Sequence, residues 1–223
     1  LAAKDESFCT TSIRSKNLET NERILQKAEE LFMRFGIRSV SMDDIAKELA
    51  VSKKTIYQFF KDKEALVMGV AHLHFNKDVC DMQGIKEQAG NALEEMILLS
   101  EHLKRNFMNI NPVIFYDLQK YHIKAWGLFR EHRERFIIET IKDNLRRGIA
   151  DGLYRSDINV EILAILRVEE VQLGFNQDVF PSNRFNFLEL QIQFVEHFMR
   201  GIITKKGFEL LEAYQDSIKQ NKI

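Results

Sequence analysis

Between Val51 and Lys61 the chain reads VSKKTIYQFFK, with Lys53, Lys54 and Lys61 and no acidic residue. Ammonium groups at this density can neutralise phosphates. The neighbouring Thr55, Tyr57 and Gln58 add hydroxyl and amide groups able to bond phosphate oxygens or base edges. Taken alone, three lysines suit a solvated surface as well as a polyanion site. Other chemistry is poorly provided for. His72, Asn76 and Cys80 recur at one-turn spacing, but a set that includes an asparagine makes a weak metal site. His74 and Asp78 share that spacing and are expected to pair at the surface. His102, His122, His132 and His197 have no nucleophile at a recognisable spacing. Glu94–Glu95 and Glu169–Glu170 are adjacent, and adjacent side chains on a helix diverge, so they are expected to be solvated or interfacial charges. Glycine-rich phosphate loops and the HExxH pattern are absent. No enzyme activity, metal or cofactor is expected.

The basic segment needs elements to hold it. Ile24, Ala28, Leu31, Phe32 and Phe35 fall on one face of a helix, which Gly36 can end in a left-handed conformation. Ser41 stands where a helix N-cap belongs, and Asp44, three residues later, can complete a capping box. Ile45, Ala46 and Leu49 give that short helix its apolar side. After a break at Ala50, Val51 and Ser52, a third helix is expected over Lys53–Phe59, with Ser52 as its cap. Val51, Ile56 and Phe60 should face a core, leaving Lys53, Lys54, Thr55, Tyr57 and Gln58 outside. Asp62 caps a fourth helix running toward Cys80. Residues 1–18 read as a loose arm. Later helices are expected at 84–108, 112–124, 126–150, 158–177, 185–203 and 205–219.

Composition agrees with an all-α protein: 223 residues hold only 2 prolines and 10 glycines, too few for many tight turns. The 32 basic and 33 acidic side chains leave a net charge of -1, so a uniformly basic nucleic-acid coat is excluded while a local basic face is not. Hydrophobic residues at 45% and charged residues at 29% are those of a folded chain. Cys9 and Cys80 form no disulfide framework, and neither a signal sequence nor a membrane span is apparent. A cytoplasmic protein is expected.

The run from Arg23 to Leu66, RILQKAEELFMRFGIRSVSMDDIAKELAVSKKTIYQFFKDKEAL, resembles the helix-turn-helix domain of the TetR (tetracycline-repressor-type) family, most closely over VSKKTIYQFFKDKEAL. The resemblance implies an N-terminal three-helix DNA-binding head, over 19–66, and a helical effector-binding and dimerisation domain over 67–223. Lys54 and Thr55 would touch base edges, Tyr57 and Lys63 phosphates, with Lys53, Gln58 and Ser41 as further contacts; Ser41 serves equally as a plain cap. Lys54 stands where the family often has glycine, and Gln58 where it often has histidine.

One such head reads few base pairs, so two copies on a two-fold axis are expected. By resemblance the interface falls on Val160–Phe175 and Asn186–Met199, with Ile162, Ile165, Leu166, Glu169 and Leu173 on the first and Leu190, Phe194, His197 and Phe198 on the second. The alternative is that these stripes pack inside one subunit. Aromatic and sulfur-bearing residues of the middle helices are candidates for an effector pocket or for ordinary core: Phe107, Met108, Phe115 and Tyr116, then Tyr121, His122, Trp126 and Phe129. The expected function is a homodimeric transcriptional regulator, a repressor released from double-stranded operator DNA by a small, substantially apolar molecule. Alternatives are a constitutive DNA-binding dimer, or a helical enzyme or interaction module with a vestigial head.

Overall fold

Eleven α-helices and one π-helical turn make up the computed structural model, which describes residues 16–108 and 110–220. Cys9 and most of the arm assigned to 1–18 lie outside the described residues; positions 16–18 open the first helix, α1 (Lys16–Phe35). Ile24, Ala28, Leu31 and Phe32 are buried along one side of α1, as their spacing requires. Gly36 ends it with φ 82°, while Phe35 stays 45% exposed.

Next come α2 (Met42–Glu48) and α3 (Lys53–Phe59), packed against α1 and the first turns of α4 (Lys63–Gln88). The turn between α2 and α3 is closed by Ala50 at φ 53°, with the Ala50 amide donating to Lys47 and the Val51 amide to Ala46. A left-handed non-glycine residue is disfavoured, and here the two backbone bonds hold it. Leu66, Val67, Val70 and Ala71 anchor the start of α4 in the same core as Ile45 and Ile56.

α4 is longer than its periodicity suggested, passing Cys80 without a break and continuing through Gly84 to Gln88. Gly90 and Asn91 then start α5 (Ala92–Phe107), since Asn91 caps the Glu94 amide at 3.0 Å. After the break that ends at Pro112, α6 (Val113–Tyr121) gives way to α7 (Ile123–His132) at His122, three residues before the expected boundary. The helix expected over 126–150 is interrupted by a π-helical turn, Arg133–Ile137, before α8 (Ile138–Ala150). The chain ends with α9 (Val160–Leu173), α10 (Phe187–Ile202) and α11 (Lys205–Gln220).

A second core joins α5, α8, α9 and α10, including Leu93, Leu145, Ala164 and Phe198. Tyr154, 1% exposed, crosses it and donates to the Ala92 carbonyl at 2.9 Å. Burial pushes its phenol up. Glu95, expected to be solvated or interfacial, is instead fully buried here, accepting from Asn144 and Arg147. Ile114 of α6 and Ala125 of α7 pack into the N-terminal core, so α6 and α7 bridge both halves. Among the described residues, no helix is long and apolar enough to cross a membrane.

Candidate DNA-binding face and adjoining cavity

The Ser41 hydroxyl donates to the Asp44 carboxylate at 2.6 Å and accepts from the Asp44 amide at 3.2 Å. The Ser41 hydroxyl, and then the Ser41 amide donating at 2.8 Å, hold the Asp44 carboxyl below its usual range. Ser52 caps α3, accepting from the Thr55 amide at 3.1 Å, and its hydroxyl lies 2.8 Å from that of Thr55. A reciprocal capping box at α2 and a single serine cap at α3 therefore set the start of each helix and the angle at which α3 leaves the turn.

On α3, Ile56 is fully buried while Lys53, Lys54, Tyr57 and Gln58 face outward and Thr55 is half-buried. Lys53 is committed to Asp43 of α2 at 2.8 Å, and that hydrogen bond raises the lysine's pKa. The sequence carries no sign of this pair, because its members lie on different helices. Lys63 sits in the first turn of α4, half-buried, its pKa lowered mainly by desolvation and partly restored by Asp117 and Asp44. Asp62 caps the same helix by accepting from the Ala65 amide at 2.7 Å.

Two ties fasten this face to the rest of the chain. Asp117 of α6, 3% exposed, accepts from the Arg38 amide at 3.0 Å. His122 bonds Glu64 of α4 at 2.6 Å. Further along α4, His74 bonds Glu29 of α1 at 2.6 Å and His132 of α7 bonds Asp78 at 2.8 Å. His102 of α5 lies 3.9 Å from both Asp78 and Asp81. The expected His74–Asp78 surface pair is thus not formed: each residue faces a different neighbouring helix. Spacing along one helix could not reveal these pairs, whose partners are distant in sequence. His72, Asn76 and Cys80 are exposed, and no metal-binding cluster occurs among the described residues.

A cavity of about 420 Å³ opens beside the second half of α4, walled by α1, α5, α7, α8 and α9. Of the aromatic candidates, Phe115 and Phe129 line it. Trp126 stands behind them, with its ring 5.0 Å from Phe129 and 6.5 Å from Phe115. Other candidates lie elsewhere. Met108 is 63% exposed, and Tyr116 and Tyr121 lie on the outer surface beside Lys120 and Arg38. His122 is spent on Glu64, and the side chain of Phe107 lies outside those described. The walls missed by sequence reasoning are Phe75, Met82, Met96, Arg133 and Arg167, which helix geometry brings together from separate segments.

Along α9, Ile162, Ile165, Leu166, Glu169 and Leu173 form an exposed stripe, in which Glu169 bonds Arg133 at 2.7 Å. On α10, His197 is exposed, Leu190 and Phe194 are half-buried, and Phe198 is core at 4% exposure beneath Arg167. Phe198 therefore leaves the set of interface candidates: it falls on the inward face of α10.

Residues 24–70 match the family model described as bacterial regulatory proteins, tetR family. The match covers α1 to the first turns of α4, the segment that carries the candidate DNA-binding face. An HTH-type transcriptional regulator of Staphylococcus aureus is 32% identical over 91 residues, covering 41% of this chain and 49% of that protein. The match thus spans about half the length of that relative. The solved TetR-family regulator from Agrobacterium tumefaciens has a TM-score of 0.72 at 15% identity, over 84% of this chain and all of that one. A regulator from Saccharomonospora viridis, solved in complex with choline, has a TM-score of 0.70 at 20% identity, over 84% of this chain and 99% of that one. At these identities the two structures speak for the all-α TetR-type fold.

Proposed function

We propose that the chain works as a homodimer that occupies a two-fold-related DNA operator through α3, represses by steric exclusion, and is released when a small, substantially apolar molecule enters the cavity beside α4. The observation that carries this is the continuity of α4. Its first turns are packed into the core that holds α3, and its later turns wall the cavity. At 26 residues it spans about 39 Å, so a tilt forced at the cavity reaches the head as a rigid displacement. The histidine–carboxylate pairs attach α4 to α1, α5 and α7, giving the two ends discrete fastenings. A ligand favouring one arrangement shifts the population of head spacings.

In this reading residues 19–66 form the head and 67–223 the effector-binding and dimerisation domain. Lys54 and Thr55 read base edges, while Tyr57, Lys63 and Ser41 bear on phosphates. Gln58 adds an amide, and Lys53 joins once it leaves Asp43. The exposed stripe on α9, with Leu190, Phe194 and His197 of α10, meets its two-fold copy. That pairing places the two recognition helices one helical turn of DNA apart, about 34–36 Å, or a multiple of it.

Selection from a randomised duplex pool is expected to enrich a two-fold-related site, with sedimentation showing a dimer on it. Failure to enrich any such site across several salt concentrations, with candidate ligands removed, refutes operator recognition. A dimer that binds but is never released by any ligand refutes the switch alone.

A further inference from the structure

The two ends of the cavity differ in kind. Toward α1, three of its acids are hydrogen-bonded: Glu29 to His74, Asp78 to His132, and Glu30 to the Lys27 ammonium, while Asp81 is 40% exposed and 3.9 Å from His102. At the α9 end, three donor atoms are buried without any hydrogen-bond acceptor: Arg133 Nε, Arg167 Nη1 and Gln172 Nε2. All three residues line the cavity. Arg167 is 5% exposed and forms an ion pair with Glu170 at 3.7 Å, too long for a hydrogen bond, so that Glu170 Oε2 is also buried without a hydrogen-bond partner. Burial lowers the Arg167 pKa and raises that of Glu170, so each is held less firmly as an ion than an engaged pair would be. Arg133 gives Nη1 to Glu169 and faces Glu134 with Nη2 at 3.5 Å, keeping only its Nε; it belongs to the π-helical turn, an irregularity frequent at functional sites. Between the ends the walls are apolar, with Met82, Met96, Phe115, Phe129, Ile141 and Val168.

We propose that this cavity takes an amphipathic organic monoanion, a carboxylate on an apolar body of medium length, with the carboxylate received by Arg167, Arg133 and Gln172. A buried guanidinium whose ion pair is too long to hydrogen-bond leaves its donors unsatisfied, and a planar carboxylate can receive them with two parallel bonds. The volume lies within the range of small-molecule sites, and the flexible methionines allow the walls to fit an unbranched tail. A cation finds no equivalent, because the acids at the other end are hydrogen-bonded or, at Asp81, open to solvent, and none is buried without a partner. The inference rests on the effector reading of this cavity given above and names the chemistry of its ligand.

The test uses three probes with one tail and different heads: decanoate, 1-decanol and decyltrimethylammonium, each below its micelle concentration. Binding to the purified protein is read by calorimetry and thermal shift without DNA. Decanoate is expected to bind at least tenfold tighter than either other probe. Gln172→Leu is expected to weaken decanoate several-fold, and Arg167→Met at least tenfold, with 1-decanol unchanged in both. Should Arg167→Met fail to fold, as judged by circular dichroism, the head-group series and Gln172→Leu decide alone. Equal binding of decanoate and 1-decanol, tightest binding of the ammonium, or no binding of any probe overturns the proposal. Operator affinity measured in parallel keeps the readings separate. Decanoate bound without DNA release leaves this site standing and removes its effector role, whereas lost operator recognition bears only on the head.

Discussion

Asp117→Ala isolates the tie between the DNA-binding face and α6. The carboxylate accepts from the Arg38 amide at 3.0 Å, and the side chain is almost wholly enclosed. Removing it leaves a backbone donor without its acceptor, a loss of about 1–3 kcal/mol when water is excluded. The bond is only part-buried on the Arg38 side, so the loss belongs in the lower half of that range, about 1–2 kcal/mol. For a chain of this size that corresponds to a Tm lowered by about 2–8 °C. Asp117→Asn keeps a carbonyl oxygen in place and should lower Tm by clearly less. Thermal unfolding at one fixed protein concentration reads the difference, which removes the concentration dependence expected of a dimer. Amide exchange at Arg38 locates it, with faster exchange in the alanine variant than in the asparagine variant. Equal Tm values for the two variants, or an unchanged Arg38 exchange rate, would refute the claim that this hydrogen bond fastens the head.

Asp43→Asn removes the partner that holds Lys53 and should tighten DNA binding, while Lys63→Ala should weaken binding to cognate and unrelated DNA alike. In a titration against salt the Lys63 variant loses roughly one unit of log–log slope for each phosphate contact given up, and an unaltered slope places Lys63 off the DNA. Gly148→Ala drives a methyl group to 2.1 Å from Cδ2 of the enclosed Tyr154 ring, so overpacking of about 3 kcal/mol and a Tm drop of about 6–12 °C are expected. An unchanged melting curve refutes that packing. Lys86 and then Arg147 hold the Asp143 carboxyl below its ordinary value of 3.8. Its contribution is therefore present above that value and is lost as the pH falls through it toward the lower folded value. Asp143→Asn should flatten the acid limb of stability against pH, and an identical acid limb in both proteins refutes the role.

The head was legible because everything that specifies it is local. The Ser41–Asp44 and Ser52–Thr55 caps, the break at Ala50 and the inward spacing of Ile45 and Ile56 all lie within a few turns of one another. Such signals read the same in a line of letters as in space. The cavity was legible only in part. Phe115 and Phe129 were recovered because large apolar side chains on a helix seek an interior, but Tyr116 and Tyr121 followed the same rule and lie outside. Periodicity gives one buried face per helix and does not say which neighbour meets it. Phe198 and Glu95 were misplaced for that reason, and the π-helical turn at Arg133 has no compositional mark.

By itself, the sequence determined that the chain is helical, that α3 is short and capped, and that its polar residues are turned away from Ile56. Hydrogen-bonding range and helical period settle such matters over a few residues. Tertiary structure alone decided that α4 joins the head to a cavity, that histidines on three other elements fasten it, and that Arg133, Arg167 and Gln172 share one wall. A cavity is the space left between helices, so it is set by how distant segments pack and by no segment alone.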